Sequence, residues 1–466
     1  MPEHEIVLRG GRVIDPESGM DAQRDLGISR DRIRAVEKIW GRNMRGAEEF
    51  DVTGLVVAPG FIDLHAHGQD AENYRLQAMD GVTTALELEI GTADVDAWYD
   101  ARMDQCAINY GVSSGHVPSR MAILDDEGCG LVPIGDAAHR RASEEEIIQI
   151  SRLVERGLER GALGVGFGLQ YTPGASRSEV IDAFKVAARF GAPCVVHIRG
   201  MGDPPADLPR VGAVEGLQEV IASAAVTGAP LHICHISSVG QSTTAQLLEM
   251  IGGAADGGMD ITTECYPYAA GMTQIDSALF EPGWQRMTGV SYGQLLWPAT
   301  GEVLDEQLFN KYRAQGGMVV IHSIPEDSVD RAVASPLTAM ASDGWVMDGA
   351  GHPRTAGTYS RVLGVYARER RALTLIEAIR KSSLMPARRL ERRAPMFLRK
   401  GRIKVGADAD LVVFDPAEVK DNATYQAPTL PSSGIVHVLV NGVPVVRDGQ
   451  LQEAVLAGRP ARAPIV

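Results

Sequence analysis

Two histidines with a single residue between them stand at the end of an apolar run. His65 and His67 occur in the segment APGFIDLHAHGQD, although the 466-residue chain has only 11 histidines. In an extended strand, residues i and i+2 point to the same face, so both imidazoles can reach one cation. Imidazole nitrogen is a common ligand of zinc and related ions. The spacing therefore indicates a metal site at the end of a strand.

Further side chains of ligand type occupy the ends of later apolar runs. They are Glu87 and Glu89 in TTALELEIG, His197 in PCVVH, His232 and His235 in LHICHIS, and Asp343 in LTAMASD. A single histidine of this kind is more often a hydrogen-bonded structural residue. Together, at four or more strand ends, they predict a cluster that binds a divalent ion and leaves a position for water. His235 ends its run, whereas His232 lies three residues inside, so His235 is the better ligand candidate.

The elements that position these side chains alternate regularly after residue 57. Apolar runs alternate with amphipathic helices such as SEEEIIQISRLVERGLERG, which Ser143 and Glu146 open in capping-box spacing. About eight runs can be strands, which predicts an α/β fold with a (β/α)8 TIM-type barrel. The segment MVVI at 318–321 is predicted to be the seventh strand. His322, which follows it, is expected to support the metal ligands without binding the metal itself. The least regular region, about 270–315, predicts a long loop over one face.

The two ends of the chain share short strands and glycine turns. EIVLRGGRVID and VHVLVNGVPVV predict hairpins that turn at Gly10–Gly11 and at Asn441–Gly442. We therefore expect both ends to pair in one small β-sandwich. The predicted boundaries are 1–57 for its first part, 58–398 for the barrel, and 399–466 for its second part.

Composition excludes several classes of function. Lys and Arg number 45 against 60 Asp and Glu, a net charge of −15, which argues against binding nucleic acid or an anionic membrane. The five cysteines are scattered, and no CxxC motif occurs, so a disulfide framework is not expected. No signal peptide and no apolar run of transmembrane length is visible. These features predict a soluble cytoplasmic protein; an oligomer is possible.

The order of the ligand candidates resembles the amidohydrolase superfamily, and the finer match resembles its D-aminoacylase branch, the N-acyl-D-amino-acid deacylases. The segments that carry the resemblance are PGFIDLHAHGQD, GVTTALELE, LGVGFGLQYTPG, VVHIRG, ECYPYAAG, ASDG, GHPRTAGTYSRVLG and GRIKVGADADLVVFDP. The resemblance implies that His65 and His67 hold one metal ion with Asp343, and that His197 and His235 hold a second. It implies zinc, as one or two divalent ions. It also implies that Asp343 is the general base, which takes a proton from a metal-activated water and passes it to the leaving nitrogen.

The sequence departs from that branch at the second strand. The D-aminoacylases have a cysteine ligand near its end, and many other members have a carboxylated lysine on strand 4; neither is present here. A glutamate is the obvious replacement, because its two oxygens can bridge two cations. Glu89 is nearer the barrel mouth than Glu87, so we expect Glu89 to bridge and Glu87 to support it.

Substrate recognition also departs from the branch. A lysine often follows the strand-6 histidine by two residues, and here that position is Ser237. The substrate is expected to be a small amide that carries a carboxylate, and arginine can grip a carboxylate with two hydrogen bonds. The candidates that we expect to bind substrate are Tyr171, Arg199, Tyr266, His352 and Arg354. Both arginines have the alternative of a structural salt bridge, and His352 could brace its loop instead.

Three other functions remain open at this point. The same metal chemistry serves cyclic amides, as in dihydroorotases and hydantoinases, and isoaspartyl dipeptides. A barrel that binds without catalysis is a different class, but such relatives usually lose ligands that this chain keeps. A nucleobase deaminase matches the ligand set without matching the surrounding motifs.

Overall fold

The computed structural model describes residues 2–39, 44–128, 130–205 and 211–466. In chain order the strands are β1 (His4–Asp15), β2 (Met20–Ser29), β3 (Arg32–Lys38), β4 (Gly46–Asp51), β5 (Val56–Pro59), β6 (Phe61–Asp63), β7 (Val82–Thr92), β8 (Asn109–Gly115), β9 (Val165–Gly168), β10 (Cys194–His197), β11 (Leu231–Ile233), β12 (Ile261–Cys265), β13 (Gly271–Gln274), β14 (Leu295–Trp297), β15 (Glu302–Val303), β16 (Met318–Ile321), β17 (Thr338–Met340), β18 (Val346–Met347), β19 (Ala350–Gly351), β20 (Leu411–Phe414), β21 (Ile435–Val440), β22 (Val443–Arg447) and β23 (Gln450–Leu451).

The helices lie mainly between the strands of the barrel. They are α1 (Ala71–Met79), α2 (Val95–Asp100), α3 (His116–Ile123), α4 (Asp136–His139), α5 (Glu144–Glu159), α6 (Arg177–Arg189), α7 (Ala213–Thr227), α8 (Ile236–Gly240), α9 (Thr244–Asp256), α10 (Trp284–Thr288), α11 (Glu306–Gln315), α12 (Glu326–Ala334), α13 (Arg354–Arg361), α14 (Leu375–Ile379) and α15 (Met385–Glu391), with π-helical turns at Val362–Glu369 and Arg380–Leu384. The predicted capping box of α5 is confirmed: the Ser143 hydroxyl accepts from Glu146 N, and the Glu146 carboxylate accepts from Ser143 N.

Eight parallel strands form the predicted barrel, in the order β6-β7-β8-β9-β10-β11-β12-β17. Backbone hydrogen bonds join its first and last strands beyond their formal ends. Asp343 N donates to the carbonyl of His65 over 2.7 Å, and His67 N donates to that of Gly344 over 3.0 Å. The closure of the barrel therefore brings the two histidines and Asp343 to the same edge.

Strands from both chain ends share one nine-stranded sheet, as the pattern of the ends predicts. β20 pairs antiparallel with β5, and β5 pairs with β1, so the C-terminal strands continue the N-terminal sheet. Alternate residues such as Val57, Leu411 and Val413 lie in the apolar core of this unit. Because β5 runs from Val56 to Pro59, it crosses the predicted 57/58 boundary, and the boundaries themselves stay predictions.

Only one of the two predicted hairpins is present. Asn441 and Gly442 have positive φ and join β21 to β22, as the Asn-Gly signal indicates. The prediction of a hairpin at Gly10–Gly11 is wrong. Strand β1 continues through both glycines, and its pairing with β2 shifts register there. Such an irregularity replaces a turn because β2, β4 and β5 all pair along the length of β1.

The assignment of 318–321 to the barrel is also wrong. This segment is β16, in a four-stranded sheet with β13, β14 and β15, and the seventh barrel strand is β12. Val319 and Ile321 face one apolar cluster and Val320 another, so the segment is buried on both sides like a barrel strand. The region 270–315 is therefore not a plain loop, because β13, β14, β15, α10 and α11 form a compact excursion between β12 and β17.

Candidate metal centre

The cluster of ligand candidates forms at the carboxyl ends of the barrel strands. His65 and His67 follow β6, Glu89 lies in β7, His197 ends β10, and His235 and Asp343 follow β11 and β17. All six are buried or nearly so. Parallel strands bring these ends to one edge, where barrel enzymes carry their active sites.

One half of the cluster surrounds a single oxygen of Glu89. Glu89 Oε2 lies 2.8 Å from His65 Nε2 and 3.1 Å from His67 Nε2. Asp343 Oδ1 lies 3.4 Å and 3.2 Å from the same two nitrogens. Two imidazole nitrogens and two carboxylate oxygens thus converge on one point.

The other half surrounds the second oxygen of the same glutamate. Glu89 Oε1 lies 2.7 Å from His197 Nδ1 and 3.5 Å from His235 Nε2. The remaining ring nitrogens, His197 Nε2 and His235 Nδ1, are buried without a hydrogen-bond partner. Glu89 therefore stands between two groups of imidazoles, with one oxygen toward each.

Two further carboxylates fix the orientation of the first pair of histidines. Glu264 Oε1 lies 2.6 Å from His65 Nδ1, and Glu87 Oε2 lies 2.7 Å from His67 Nδ1. Each contact holds the outer ring nitrogen, so the inner nitrogen of both rings can face a cation. Glu87 Oε1 accepts from the backbone N of Ile90, which keeps its carboxylate turned away from the cluster centre.

The role of Glu264 is absent from the sequence analysis. It is the last residue but one of β12, in the segment TTECYPY, so the strand-end rule applied to the other runs could have found it. Its second oxygen lies 3.0 Å from His232 Nε2, and His232 Nδ1 lies 2.7 Å from Thr262 Oγ1. His232 is thus engaged behind the cluster, while His235 lies within it.

A divalent cation fits the charge and chemistry of this cluster. Burial alone would lower the pKa of His65, but Asp343, Glu89 and Glu264 raise it well above the ordinary value. The pKa of His67 is likewise raised, against burial, by Glu87 and Asp343. Buried carboxylates at this density require positive charge beside them, and imidazole with carboxylate is the ligand set that zinc takes in catalytic sites.

A third grouping is less suited to a cation. Cys234 lies within 4.8 Å of ligand atoms of His65 and Glu264. There the outer nitrogen of His65 already contacts Glu264, and burial raises the pKa of the Cys234 thiol well above its ordinary value. The thiolate that a metal needs is therefore disfavoured. Cys106, Cys194 and Cys265 are also free and buried, and Cys129 lies outside the described residues.

Two of the cluster residues have unusual backbone conformations. His235 has φ 30° and Asp343 has φ 53°, in the left-handed region that non-glycine residues rarely adopt. Strained positions of this kind concentrate at functional sites, where the surrounding fold imposes them. Both residues lie within three positions of the end of their barrel strand, where the chain turns toward the mouth.

The cluster opens into a cavity at the mouth of the barrel. Tyr171 and Tyr266 line it, and the Tyr171 hydroxyl accepts a hydrogen bond from Thr273 over 3.0 Å. Arg354 lies beside Tyr266, with its guanidinium carbon 4.5 Å from the ring centroid. Its Nη2 donates to Asp343 Oδ2 over 2.9 Å, while its Nε and Nη1 are buried without partners.

The structure gives the other substrate candidates different surroundings. All three guanidinium nitrogens of Arg199 are engaged, by Glu219 and by backbone carbonyls that include that of Ala175. Both ring nitrogens of His352 are engaged by backbone, one with Ala270 O and the other with Arg354 N. His322 lies beyond β16, outside the barrel strands. Arg199 and His352 have no donor left for a substrate in this arrangement.

The protein combines a cluster of metal-ligand candidates at the mouth of an eight-stranded barrel with a sheet built from both chain ends. This combination is typical of one class of metal-dependent hydrolases. Sequence profiles of the amidohydrolase family match residues 134–446 and 56–211. The chain is 30% identical to D-aminoacylase from Alcaligenes xylosoxydans xylosoxydans over 95% of both chains, and 30% identical to N-acyl-D-glutamate deacylase from the same organism over 98% of both. The protein therefore belongs to the amidohydrolase family.

Solved structures agree with this assignment. The N-acyl-D-glutamate deacylase of Bordetella bronchiseptica, complexed with zinc and a phosphonate that mimics the tetrahedral intermediate, superposes with a TM-score of 0.83 at 27% identity, over 99% of this chain and 100% of that one. A structure of D-aminoacylase, from work on its binuclear metal centre, has a TM-score of 0.81 at 25% identity, over 98% and 100% of the two chains.

Proposed function

We propose that this protein deacylates N-acyl-D-amino acids, releasing a carboxylate and the free D-amino acid. The observation that carries the proposal is the shared carboxylate of Glu89 between two groups of histidines, at the base of a cavity next to the unpaired donors of Arg354. The first feature suits hydrolysis of an amide. The second suits a substrate that carries a carboxylate.

His65, His67, Glu89 and Asp343 would hold one divalent ion, and Glu89, His197 and His235 would hold another. When bound, zinc supplies a Lewis acid for the amide carbonyl and lowers the pKa of water toward neutrality. Glu264 and Glu87 would keep the rings of His65 and His67 in the orientation that ligation needs.

Asp343 is our candidate for the general base. Its Oδ1 faces the cluster and its Oδ2 is held by Arg354, so the carboxylate has one fixed orientation. In that position it can take a proton from the attacking water and deliver it to the nitrogen that leaves. Asp343 follows the last barrel strand, and its N–H donates to the carbonyl of His65 after the first strand, which fixes its distance from the two histidines.

Tyr266 and Arg354 are our candidates for binding the substrate carboxylate. The Tyr266 hydroxyl is buried without a partner, as are two nitrogens of Arg354. A Cβ on Gly271 would lie 3.4 Å from that hydroxyl, so glycine leaves room beside it. Tyr171 follows β9, and its ring lies against that of His197, so it would line the pocket.

The test is hydrolysis of matched substrates by the zinc-loaded protein. We expect release of free amino acid from N-acetyl-D-methionine, and at least ~100-fold less from its L enantiomer, because the fixed carboxylate and carbonyl sites accept one hand. Hydantoin and dihydroorotate serve as cyclic controls. Hydrolysis of the cyclic amides alone would overturn the proposal.

Two finer predictions accompany this function. No described helix is long and apolar enough to cross a membrane. A cytoplasmic location stays a prediction from the scattered cysteines, and action without nucleic acid or membrane stays a prediction from the net charge of −15. The oligomeric state also stays open to measurement by light scattering.

A further inference from the structure

Apart from the metal-ligand candidates, most of the cavity wall is apolar. Most of the apolar side chains come from the excursion between β12 and β17. Others come from the segment after α3, from the loop after β10 and from the loop that follows Asp343. They include Leu131, Val132, Met201, Met272, Leu279, Met318, Ile321 and Trp345. Among the described residues, no lysine or arginine lines this cavity directly. The guanidinium of Arg354 is buried beside Tyr266 and Asp343, two residues that do line it.

Three polar side chains of the wall are engaged in hydrogen bonds within the protein. Gln274 Oε1 accepts from Val132 N over 3.2 Å, and Thr273 donates to the Tyr171 hydroxyl. The nearby guanidinium of Arg199 is bound to Glu219. Arg354 has two unpaired nitrogens, enough for a single carboxylate. A substrate with two carboxylates therefore finds a cationic side chain for only one of them.

Sequence identity does not decide between neutral and acidic substrates. The chain is 30% identical both to D-aminoacylase and to N-acyl-D-glutamate deacylase, and 27% identical to N-acyl-D-aspartate deacylase. The composition of the wall is more informative, because an ionised carboxylate buried without a cation is strongly disfavoured. Methionine side chains, by contrast, adapt to apolar groups of different shapes.

We propose that the cavity selects N-acyl-D-amino acids whose side chains are apolar and uncharged, and rejects those with a second carboxylate. This inference rests on the deacylase function proposed above. Met201, Met272 and Met318 form the adaptable part of the wall, so methionine, leucine and phenylalanine derivatives are all accepted.

The test compares N-acetyl derivatives of D-methionine, D-leucine, D-glutamine and D-glutamate with the zinc-loaded protein. We expect kcat/KM for D-methionine to exceed that for D-glutamate by at least ~100-fold, with the isosteric, uncharged D-glutamine in between. Equal or better hydrolysis of the D-glutamate derivative would overturn the specificity while upholding the deacylase function. If none of the four is hydrolysed, the deacylase function is overturned, and the specificity with it.

A charge placed in the wall gives a second, independent measurement. Met272 is partly exposed in β13, so its replacement by arginine offers the missing partner for a second carboxylate. We expect Met272→Arg to raise the D-glutamate to D-methionine ratio of kcat/KM at least ~10-fold. Met272→Leu, which keeps the wall apolar, should leave the ratio unchanged. An unchanged ratio in folded Met272→Arg would contradict the proposal.

Discussion

Replacing Glu89 by glutamine tests whether one carboxylate serves both halves of the metal centre. Oε1 lies 2.7 Å from His197 Nδ1, and Oε2 lies 2.8 Å from His65 Nε2. An amide keeps the shape but has a single oxygen, and its NH2 group cannot bind a cation. One half therefore loses a ligand. We expect the zinc content to fall from two ions per chain to one, with the affinity of the lost ion reduced at least ~100-fold, or about 2.7 kcal/mol.

Glu87→Gln is the matched control, because Glu87 lies on the same strand and, of the histidines in the cluster, contacts the outer nitrogen of His67. It should keep both ions, with affinity lowered ~10–100-fold. Zinc is measured by atomic absorption after dialysis against a buffered zinc series, with circular dichroism to confirm folding. Two ions held at parental affinity in Glu89→Gln would refute the shared-carboxylate account.

Three further predictions concern the base, the substrate and a buried lysine. Asp343→Asn keeps the side-chain shape but removes the proton acceptor, so kcat should fall ~10²–10⁴-fold; a kcat near the parental value in zinc-loaded protein would exclude Asp343 as the base. Arg354→Lys loses the planar fork and should raise KM for N-acetyl-D-methionine ~10–100-fold, and an unchanged KM would exclude this arginine from carboxylate binding. Burial lowers the pKa of Lys381 to about 8, while the unfolded chain has the ordinary value of 10.5. Between these pH values the unfolded state binds more protons, so the lysine's contribution to the free energy of unfolding rises with pH by about 3 kcal/mol at most. Denaturant unfolding of the parent and of Lys381→Met should show that difference, and parallel pH curves would contradict it.

The barrel and its ligand cluster could be predicted because the physics is local. A side chain at the end of a strand is carried to the barrel mouth whichever partners the strand finds. The i, i+2 spacing fixes the face that His65 and His67 share. For these residues, the position in the strand is enough to predict which edge and which face the side chains occupy.

Other features depend on contacts that no local pattern encodes. The strand that contains Val319, Val320 and Ile321 is buried on both faces, as a barrel strand would be. Hydrophobic periodicity therefore cannot distinguish a strand of the antiparallel excursion from a strand of the barrel. Gly10 and Gly11 suit a turn or an irregularity in a strand, and the choice falls to distant strands that pair along β1.

The same limit applies to partner choice among charged side chains. Arg199 follows a barrel strand like a substrate ligand, but Glu219 on α7 and nearby carbonyls engage its nitrogens. Glu264 lies near a strand end, where the strand-end rule applies to it, but its two partners, His65 and His232, follow only from the fold.

The most direct test of the central claim is a crystal structure of the zinc-loaded protein with an anomalous difference map at the zinc edge. The account predicts two peaks at the barrel mouth, with Glu89 between them. One would contact His65, His67 and Asp343, and the other His197 and His235. A single peak beside Cys234 and Glu264, or no peak at the barrel mouth, would contradict the account.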